Sequence, residues 1–339
     1  MKVLIIGGTG NISSAISQRL LGKGNEVTLY NRGNETIDGA RCIKGDRNDH
    51  AAFEKQMLKE SEFDCVVDMI CYNAEDAESD VRAFRGRTGQ LVFCSTVDVF
   101  TKTVRSYPIT EKSERNPSVS FPYAYNKAIC EKVFEEAQDE KAFPVTILRP
   151  AATYNNTSTP ISLLGQGTAL LKRIRQGMPV IVLGDGLSIW VSSHRDDVGN
   201  AFIGAIGNPK TYGKGYNITG DEIMTWEEYF LTVARVMGVS DIDFVRIPTD
   251  LLVKLAPKAT EWCRINFKYN NIFDNSLAKS DLSYKYAISW EEGVKRMVTY
   301  HDSYGGIDGS AANVFYDLVV AKYRKMAELL ARELAAIEE

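Results

Sequence analysis

The sequence has few residues of the kinds that build metal centres or disulfide frameworks. Its 339 residues include six cysteines and three histidines. The cysteines are scattered, with no Cys-x-x-Cys pair and no metal-site spacing to the histidines. Such cysteines are typical of reduced thiols in a cytosolic protein. We therefore expect a cytoplasmic protein without a bound metal.

Long apolar runs and a strong charge of one sign are also lacking. No stretch of the chain approaches the ~18 consecutive apolar residues of a membrane span, and the apolar run at the N-terminus is too short for a signal peptide. The formal net charge is −4, from 40 basic and 44 acidic residues. Because nucleic-acid binding usually needs a basic surface, we expect neither a membrane nor a nucleic-acid partner.

The N-terminal segment combines a strand pattern with a glycine-rich turn. Lys2–Ile6 is an apolar run typical of a buried parallel strand. Residues 7–13 follow at once, and residues 13–21 have a helical pattern, with Ser13 at the third glycine position of the motif. Glycines let backbone N–H groups approach a pyrophosphate, and the helix N-terminus adds a favourable dipole. The predicted dinucleotide-binding residues of this turn are Gly7, Thr9, Gly10, Asn11 and Ile12.

Residues after the second and third predicted strands bear on the choice of cofactor. An NAD site usually has an acidic residue after the second strand, whereas this chain has Asn31 and Arg32. A neutral residue followed by arginine suits a 2′-phosphate, which favours NADP over NAD. The alternatives for Arg32 are a solvated loop charge or stacking on adenine with either cofactor. Asp46 is a candidate acceptor for the adenine amino group, and we place Arg47 in the same cofactor site.

A Tyr-x-x-x-Lys motif lies at the start of a predicted helix. Positions i and i+4 share one face of a helix, so Tyr123 and Lys127 point the same way. A free tyrosine has a pKa of about 10, and a nearby ammonium lowers it. This pair is therefore a candidate for general acid–base catalysis, with Lys127 also holding the nicotinamide ribose. The alternative is an ordinary exposed pair that has this spacing by chance.

An apolar strand pattern upstream of this motif ends in the hydroxyl groups of Ser95 and Thr96. In doubly wound sheets the ligand crevice lies at the carboxyl ends of the strands. A hydroxyl at that position can hydrogen-bond a substrate oxygen beside Tyr123. The two motifs together indicate a nicotinamide-dependent enzyme.

Taken in order, these segments resemble the NAD-dependent epimerase/dehydratase family, whose members are extended or atypical short-chain dehydrogenases/reductases. The resemblance covers about residues 1–300. Four later segments also match the family in order: Leu148-Arg149-Pro150 followed by Tyr154; Gly184-Asp185-Gly186 followed by His194-Arg195-Asp196-Asp197-Val198; Tyr216-Asn217-Ile218-Thr219-Gly220; and Ser289-Trp290-Glu291-Glu292-Gly293.

The resemblance implies an α/β fold, with a Rossmann-type doubly wound parallel sheet and a smaller C-terminal substrate lobe. It also implies a catalytic set of one hydroxyl residue, Tyr123 and Lys127. Spacing back from Val99-Phe100 assigns the hydroxyl to Thr96, with Ser95 as a reserve candidate in the substrate site.

Three departures from the family bear on the substrate and the reaction. Trp190 stands where sugar-nucleotide members often have an arginine for the substrate diphosphate, so we expect it to stack on a base or sugar. Asn155 replaces a glycine after Tyr154, and we place it in the substrate site. Asp98 ends a Thr-x-Asp run where sugar 4,6-dehydratases have Thr-Asp-Glu. Asp98 is therefore a candidate base, or equally a loop cap, and full dehydratase chemistry is disfavoured.

The chain divides by pattern into two domains and a C-terminal helix. Strand candidates lie at 2–6, 26–30, 40–44, 64–70, 90–95 and 144–148, with helical patterns between them. They predict a parallel sheet covered on both faces, so residues 1–150, with 191–207 returning, form the NAD(P)-binding domain. Residues 151–190 and 208–300 form the predicted substrate lobe. Residues 311–339 predict an amphipathic helix, which either docks on its own subunit or contacts a dimer partner.

The predicted function is redox chemistry on a sugar-like substrate. We expect a homodimeric enzyme that uses NADP or NAD to oxidise or reduce a secondary alcohol or ketone of a sugar or nucleotide sugar, as an epimerase or dehydratase. An alternative is an NADPH-dependent ketoreductase of a sugar or secondary metabolite. A non-catalytic cofactor-binding or RNA-binding regulator is the alternative from another class. The intact Thr96, Tyr123 and Lys127 argue against it.

Overall fold

The computed structural model describes residues 1–165 and 167–338. The strands are β1 (Lys2–Ile6), β2 (Glu26–Asn31), β3 (Arg41–Lys44), β4 (Cys65–Asp68), β5 (Leu91–Cys94), β6 (Val145–Pro150), β7 (Ala152–Tyr154), β8 (Val180–Leu183), β9 (Ile189–Trp190), β10 (Ser192–His194), β11 (Lys214–Ile218), β12 (Met224–Thr225) and β13 (Phe244–Ile247). The helices are α1 (Asn11–Gly22), α2 (His50–Met57), α3 (Ala74–Phe84), α4 (Pro122–Asp139), α5 (Ala169–Arg175), α6 (Arg195–Ala205), α7 (Trp226–Val236), α8 (Thr249–Leu255), α9 (Ser276–Leu282), α10 (Trp290–Asp302) and α11 (Val314–Glu338).

Seven strands form the main sheet, in the order β11-β6-β5-β4-β1-β2-β3. Every neighbouring pair in this sheet is parallel, which confirms the predicted Rossmann-type α/β fold. The chain starts at β1, builds outward to β3 and then crosses to β4 on the other side of β1. This reversal of direction puts a ligand crevice at the carboxyl ends of β1 and β4.

Alternate residues of each buried strand supply the hydrophobic cores on the two faces of the sheet. Val3 and Ile5 pack in one core, which includes side chains of α1 and α6. Leu4 and Ile6 pack in the other, which includes side chains of α2, α3 and α4. Because successive strand side chains point to opposite faces, a strand covered on both sides is apolar throughout, as the N-terminal run is.

The chain forms two compact units, and each is described here by itself. Unit 1 comprises Met1–Tyr154, Val191–Asp221 and Ile272–Ile288, and unit 2 comprises Asn155–Trp190, Glu222–Asn271 and Ser289–Glu339. Residues 208–221 and 272–288 thus belong to unit 1 by their contacts, whereas the sequence pattern predicts that both segments contribute to the substrate lobe.

Two contacts place these segments in unit 1. β11 adds to the edge of the main sheet beside β6. α9 packs against α6 so closely that a side chain at Gly204 would collide with the carbonyl oxygen of Leu282. Both contacts join segments far apart in sequence, which a reading of local patterns does not detect.

Unit 2 contains two small strand pairs, five α-helices and one π-helical turn among its described residues. β8 pairs with β13 in parallel, and β9 pairs with β12 in antiparallel fashion. Helices α5, α7, α8, α10 and α11 surround these pairs, together with a π-helical turn at Cys263–Phe267. None of the helices described in either unit has the length and apolar character needed to cross a bilayer.

Candidate active site

The glycine turn between β1 and α1 has a backbone shape that requires glycine. Gly7 has a φ of +81°, and a Cβ added there would lie 2.6 Å from Cγ2 of Ile70. A Cβ added at Gly8 would lie 2.5 Å from Cδ2 of Leu29. Both glycines therefore let the turn pass close to the strands on either side of β1.

Ser13 takes the place of the third glycine in the motif and stabilises the turn. Its side chain is buried, and its hydroxyl donates to the carbonyl of Gly7 at 2.6 Å. The same hydroxyl accepts the N–H of Gly10 at 2.8 Å. The substitution thus keeps close packing of helix and strand, and adds two hydrogen bonds within the turn.

The N-terminus of α1 is suited to an anionic group. Gly10 is the N-cap, and the first turn of the helix has no acidic side chain. Asn11 is exposed, and its amide donates to the carbonyl of Thr153 at 3.0 Å. The dipole and the N–H groups of a helix N-terminus favour negative charge, so these residues fit the pyrophosphate of a dinucleotide. Thr9 and Ile12 flank Gly10 and Asn11 in this turn and are partly exposed.

The residues after β2 place an exposed arginine near the turn. Asn31 shapes the loop, since its side chain accepts the N–H of Gly33 at 2.7 Å and donates to the carbonyl of Glu35. Arg32 is exposed, and within the described part of the chain no ion pair holds its guanidinium. The arginine is thus accessible to a phosphate.

The side chains of Asp46 and Arg47 diverge. Asp46 is exposed and accepts the backbone N–H of Asn48 at 2.9 Å. Arg47 is buried, with its Nη2 2.9 Å from Oδ1 of Asp80 and its Nε 3.6 Å from Oδ2 of Asp68. The prediction that the Arg47 side chain binds the cofactor is therefore wrong, because buried carboxylates hold its guanidinium inside unit 1.

Thr96 and Tyr123 meet at the carboxyl end of β5. Thr96 caps a short 3₁₀ turn at Val97–Val99, where its hydroxyl accepts the N–H of Asp98 at 3.2 Å. The Thr96 side chain lies near enough to the phenol of Tyr123 to lower the pKa of that group. Tyr123 is the second residue of α4 and is 40% exposed. The two hydroxyls can therefore contact one substrate oxygen together.

Lys127 lies one turn further along α4, with its side chain only 2% exposed. Its Nζ donates to the carbonyl of Cys94 at 2.7 Å and lies 4.8 Å from the ring centroids of Tyr72 and Phe93. Tyr72 had no predicted role. Its one sequence signal is its place directly after a buried strand, in Asp68-Met69-Ile70-Cys71-Tyr72.

The pKa of Tyr123 moves in the direction opposite to our expectation. Burial raises the pKa of Tyr123, the neighbouring Cys94 and Asp98 raise it further, and the nearby hydroxyl of Thr96 lowers it. The ammonium of Lys127 donates to the Cys94 carbonyl and lies near two aromatic rings. The phenol of Tyr123 is therefore protonated at neutral pH.

Asp98 and Lys102 form a charged pair beside the hydroxyls of Thr96 and Tyr123. Asp98 is 8% exposed, and its Oδ2 accepts the hydroxyl of Thr96 at 3.3 Å. Nζ of Lys102 lies 3.8 Å from Oδ1 of Asp98, and burial lowers the pKa of Lys102. The sequence signal for this lysine is its i+4 spacing from Asp98, which we did not use.

Ser95 belongs to a buried ionic cluster. Its hydroxyl donates to Oε1 of Glu131 at 2.6 Å. Arg149 binds both oxygens of the same carboxylate, at 2.7 and 2.9 Å, and Nη1 of Arg115 lies 2.5 Å from Oε2. Ser95 thus faces the interior, which favours Thr96 as the hydroxyl beside Tyr123. Sequence reasoning missed Glu131, which lies one turn beyond Lys127 on α4.

The structure places Trp190 in the core of unit 2 and gives Asn155 a local hydrogen bond, and the place of Asn155 in the substrate site stays a prediction. Trp190 is 4% exposed and stacks on Trp226, with ring centroids 4.8 Å apart. Its face is covered, so it is a core residue and does not stack on a ligand. The Asn155 side chain accepts from the backbone N–H of Thr157 at 2.7 Å, so it shapes a local turn.

Comparison with known proteins identifies the family. The model of the NAD dependent epimerase/dehydratase family matches residues 3–219, and the chain belongs to this family. It is an NAD-dependent enzyme of the short-chain dehydrogenase/reductase superfamily.

Curated relatives have different activities. The chain is 23% identical over 280 residues to the 2'-dehydrokanamycin reductase of Streptomyces kanamyceticus, covering 82% of this chain and 78% of the relative. It is 27% identical over 260 residues to the chloroplast stem-loop binding protein of 41 kDa b of Arabidopsis thaliana, covering 72% of this chain and 65% of the relative.

Solved structures show the same fold. The UDP-glucose 4-epimerase of Thermotoga maritima with UDP-glucose has a TM-score of 0.72 at 20% identity, covering 90% of this chain and 99% of the other. The UDP-glucuronic acid 4-epimerase of Bacillus cereus with NAD has a TM-score of 0.68 at 19% identity, again covering 90% and 99%.

Proposed function

We propose that this enzyme interconverts a secondary alcohol and a ketone on a sugar-type substrate, with Tyr123 as the proton donor and acceptor. The observation that carries the proposal is that Thr96 and Tyr123 lie close together, at the same edge of the sheet as the glycine turn. A carbonyl oxygen that accepts from both hydroxyls would be held and polarised by them.

Each step of the proposed reaction has a residue to perform it. A nicotinamide bound at the glycine turn would supply or accept the hydride at the substrate carbon. In the direction of reduction, Tyr123 donates its proton to the carbonyl oxygen, which becomes the hydroxyl of the product. In the reverse direction, Tyr123 accepts that proton. Thr96 holds the oxygen in place. Lys127 binds the ribose through the N–H groups of its ammonium that do not donate to the carbonyl of Cys94.

The sugar-type substrate is inferred from the relatives. The curated reductase is named for an aminoglycoside ketone, and the Thermotoga structure contains a nucleotide sugar. Both names describe oxidised or oxidisable ring carbons, which suits the Thr96–Tyr123 pair. Epimerisation would use the same pair twice, once in each direction.

Net reduction with NADPH is the second candidate, and one observation favours it. Arg32 is exposed after β2, and an arginine there suits the 2′-phosphate of NADP.

Substitution of Tyr123 tests the proposed proton transfer. We expect Tyr123→Phe to lower kcat by about 10²- to 10⁴-fold, measured as NADPH oxidation or epimer formation with a panel of keto-sugars and nucleotide sugars. Nucleotide affinity should stay within about twofold, since the glycine turn is intact. The matched control is Tyr125→Phe, an exposed tyrosine on the same helix. Full activity in Tyr123→Phe would overturn the proposal.

The choice of cofactor is tested at Arg32. We expect Arg32→Ala to weaken NADPH binding by about tenfold or more, the loss of one charge-assisted contact, and to leave NADH binding unchanged. Calorimetric titration with each nucleotide measures both. An equal loss for the two nucleotides, or no loss, would contradict the NADPH assignment without affecting the role of Tyr123.

A further inference from the structure

Helices α1 and α6 of unit 1 lie side by side and run in the same direction. Nη1 of Arg195, the first residue of α6, lies 3.5 Å from Oγ of Ser14 on α1. Further along both helices, Nε of Arg19 on α1 donates to Oδ1 of Asn200 on α6 at 2.9 Å. Since the contacts advance together along the two helices, the pair is parallel. The N-terminus of α6 therefore lies beside the N-terminus of α1, which follows the glycine turn.

The short strands β7 and β10 also join the two helix N-termini. The side-chain amide of Asn11, the first residue of α1, donates to the carbonyl of Thr153 on β7 at 3.0 Å. Thr153 pairs in register with Ser193 on β10. His194 ends this strand, and Arg195 follows it directly. Arg195 is thus held at the same edge of unit 1 as the glycine turn.

The guanidinium of Arg195 has few partners of its own. Its contact with Ser14 is its one hydrogen bond to a described residue. Its Nε is buried and has no hydrogen-bond acceptor in the described part of the chain, and Oδ1 of Asp196 lies 4.0 Å from it. The same Oδ1 lies closer to Nη2 of Arg19, at 3.1 Å. Because a buried donor of a charged group is costly to leave unpaired, an anion beside Arg195 would stabilise this side chain.

The space in front of the two helix N-termini is suited to negative charge. The positive ends of both helix dipoles point into it, and the first turn of α1 has no acidic side chain. The two carboxylates in the first turn of α6 are engaged elsewhere. Asp196 pairs with Arg19, and Asp197 accepts the backbone N–H groups of Ala287 and Ile288 at 3.0 and 2.9 Å. Their charges are thus partly offset before any ligand binds.

We propose that Arg195 binds the pyrophosphate of the nicotinamide dinucleotide, together with the N–H groups of the glycine turn. The planar guanidinium can donate two parallel hydrogen bonds to phosphate oxygens. NAD and NADP share the pyrophosphate, so Arg195 binds both nucleotides equally, whereas Arg32 suits the 2′-phosphate of NADP alone. The inference rests on cofactor binding at the glycine turn and is independent of proton transfer by Tyr123.

Substitution of Arg195 tests this contact. We expect Arg195→Met to weaken the binding of NADH, NADPH and ADP by about tenfold or more each, the loss of one charge-assisted contact. Arg195→Lys, which keeps the charge, should recover at least about threefold of the lost affinity. Calorimetric titration of the full chain measures these constants without turnover. The matched control is Arg82→Met on α3, which removes the same charge from an exposed ion pair with Glu54 and should change each constant by less than about twofold.

The pattern of losses separates this role from others. Equal factors for NADH and NADPH in Arg195→Met are expected, since the pyrophosphate is common to both. Unchanged affinity, or a loss confined to NADPH, would contradict the assignment. A loss that Arg195→Lys does not recover would assign Arg195 a structural role in α6, and thermal unfolding of both variants checks that they are folded. Failure of the proposed reaction would appear instead as full activity in Tyr123→Phe, with these nucleotide constants unaffected.

Discussion

Glu131 is the residue on which several parts of unit 1 converge. Its buried carboxylate binds Ser95 at the end of β5, Arg149 on β6 and Arg115 in the loop before α4. Burial by itself raises the pKa of Glu131, but the charge and hydrogen bonds of Arg149 outweigh it, so the pKa lies below its ordinary value. A neutral side chain here would leave Arg149 buried without a counter-charge.

We therefore expect Glu131→Gln to lower the free energy of unfolding at neutral pH by about 3–5 kcal/mol, the cost of breaking a buried ion pair. The folded-state pKa of Glu131 is depressed, so its stabilisation is present above the unfolded-state pKa of about 4.3 and is lost as pH falls through the folded-state value. Urea denaturation between neutral and acid pH measures both effects.

A neighbouring carboxylate provides the matched control. Glu135 contacts Arg115 from the same helix but is 43% exposed, so Glu135→Gln should cost less than about 1 kcal/mol. Equal losses of unfolding free energy in Glu131→Gln and Glu135→Gln would show that the cost does not come from the burial of Glu131 or from its ion pair with Arg149.

At the scale of elements, the connection from the end of β5 to α4 is held at several points. The backbone N–H of Thr101 donates to the carbonyl of Glu114, and Ile109 forms a bridge with Phe273. The carboxylate of Glu111 accepts the N–H of Asn217 on β11 at 3.0 Å. Because the loop leaves from Thr96 and returns at Tyr123, its order helps to set the distance between the two hydroxyls.

Arg115 is the side chain that ties this loop to α4. Its Nη1 contacts the carboxylates of Glu131 and Glu135. We expect Arg115→Ala to speed amide hydrogen exchange in residues 101–121 about tenfold, which corresponds to about 1.4 kcal/mol of local stability. Arg105→Ala, an exposed residue of the same loop, should leave exchange unchanged. Unaltered exchange in Arg115→Ala would show that the loop is held by its backbone contacts alone.

At the scale of the whole molecule, net charge bears on whether this enzyme also binds nucleic acid. One curated relative is named as a stem-loop binding protein, but this chain has a net charge of −4. Affinity for RNA comes largely from neutralised phosphates and falls steeply with salt. An acidic chain has few such contacts to offer unless its basic residues cluster.

We expect no salt-sensitive binding of a labelled RNA hairpin, measured by fluorescence anisotropy at about 50 and 200 mM salt. Nucleotide binding by the same preparation is the positive control for folded protein. Tight binding at low salt that weakens about 10³-fold at the higher salt would instead support an RNA-binding function.

The local patterns of the chain were enough to predict the parallel sheet and the glycine turn. Each of these patterns lies within a short stretch of consecutive residues. The backbone preferences behind strands, turns and helices also act between residues that are close in sequence. The proximity of Thr96 and Tyr123 follows one step later, since parallel strands end at one edge of a sheet.

The positions of individual side chains depend on partners that are distant in the sequence. Arg47 is turned inward by Asp80, which lies 33 residues away. Trp190 on β9 is covered by Trp226 at the start of α7. β11 joins the main sheet through β6, across the whole of the segment between them. These outcomes arise from burial and charge pairing in three dimensions, which neighbouring residues in the sequence do not specify, whereas the backbone motif and the chemistry of its residues are properties of the sequence alone.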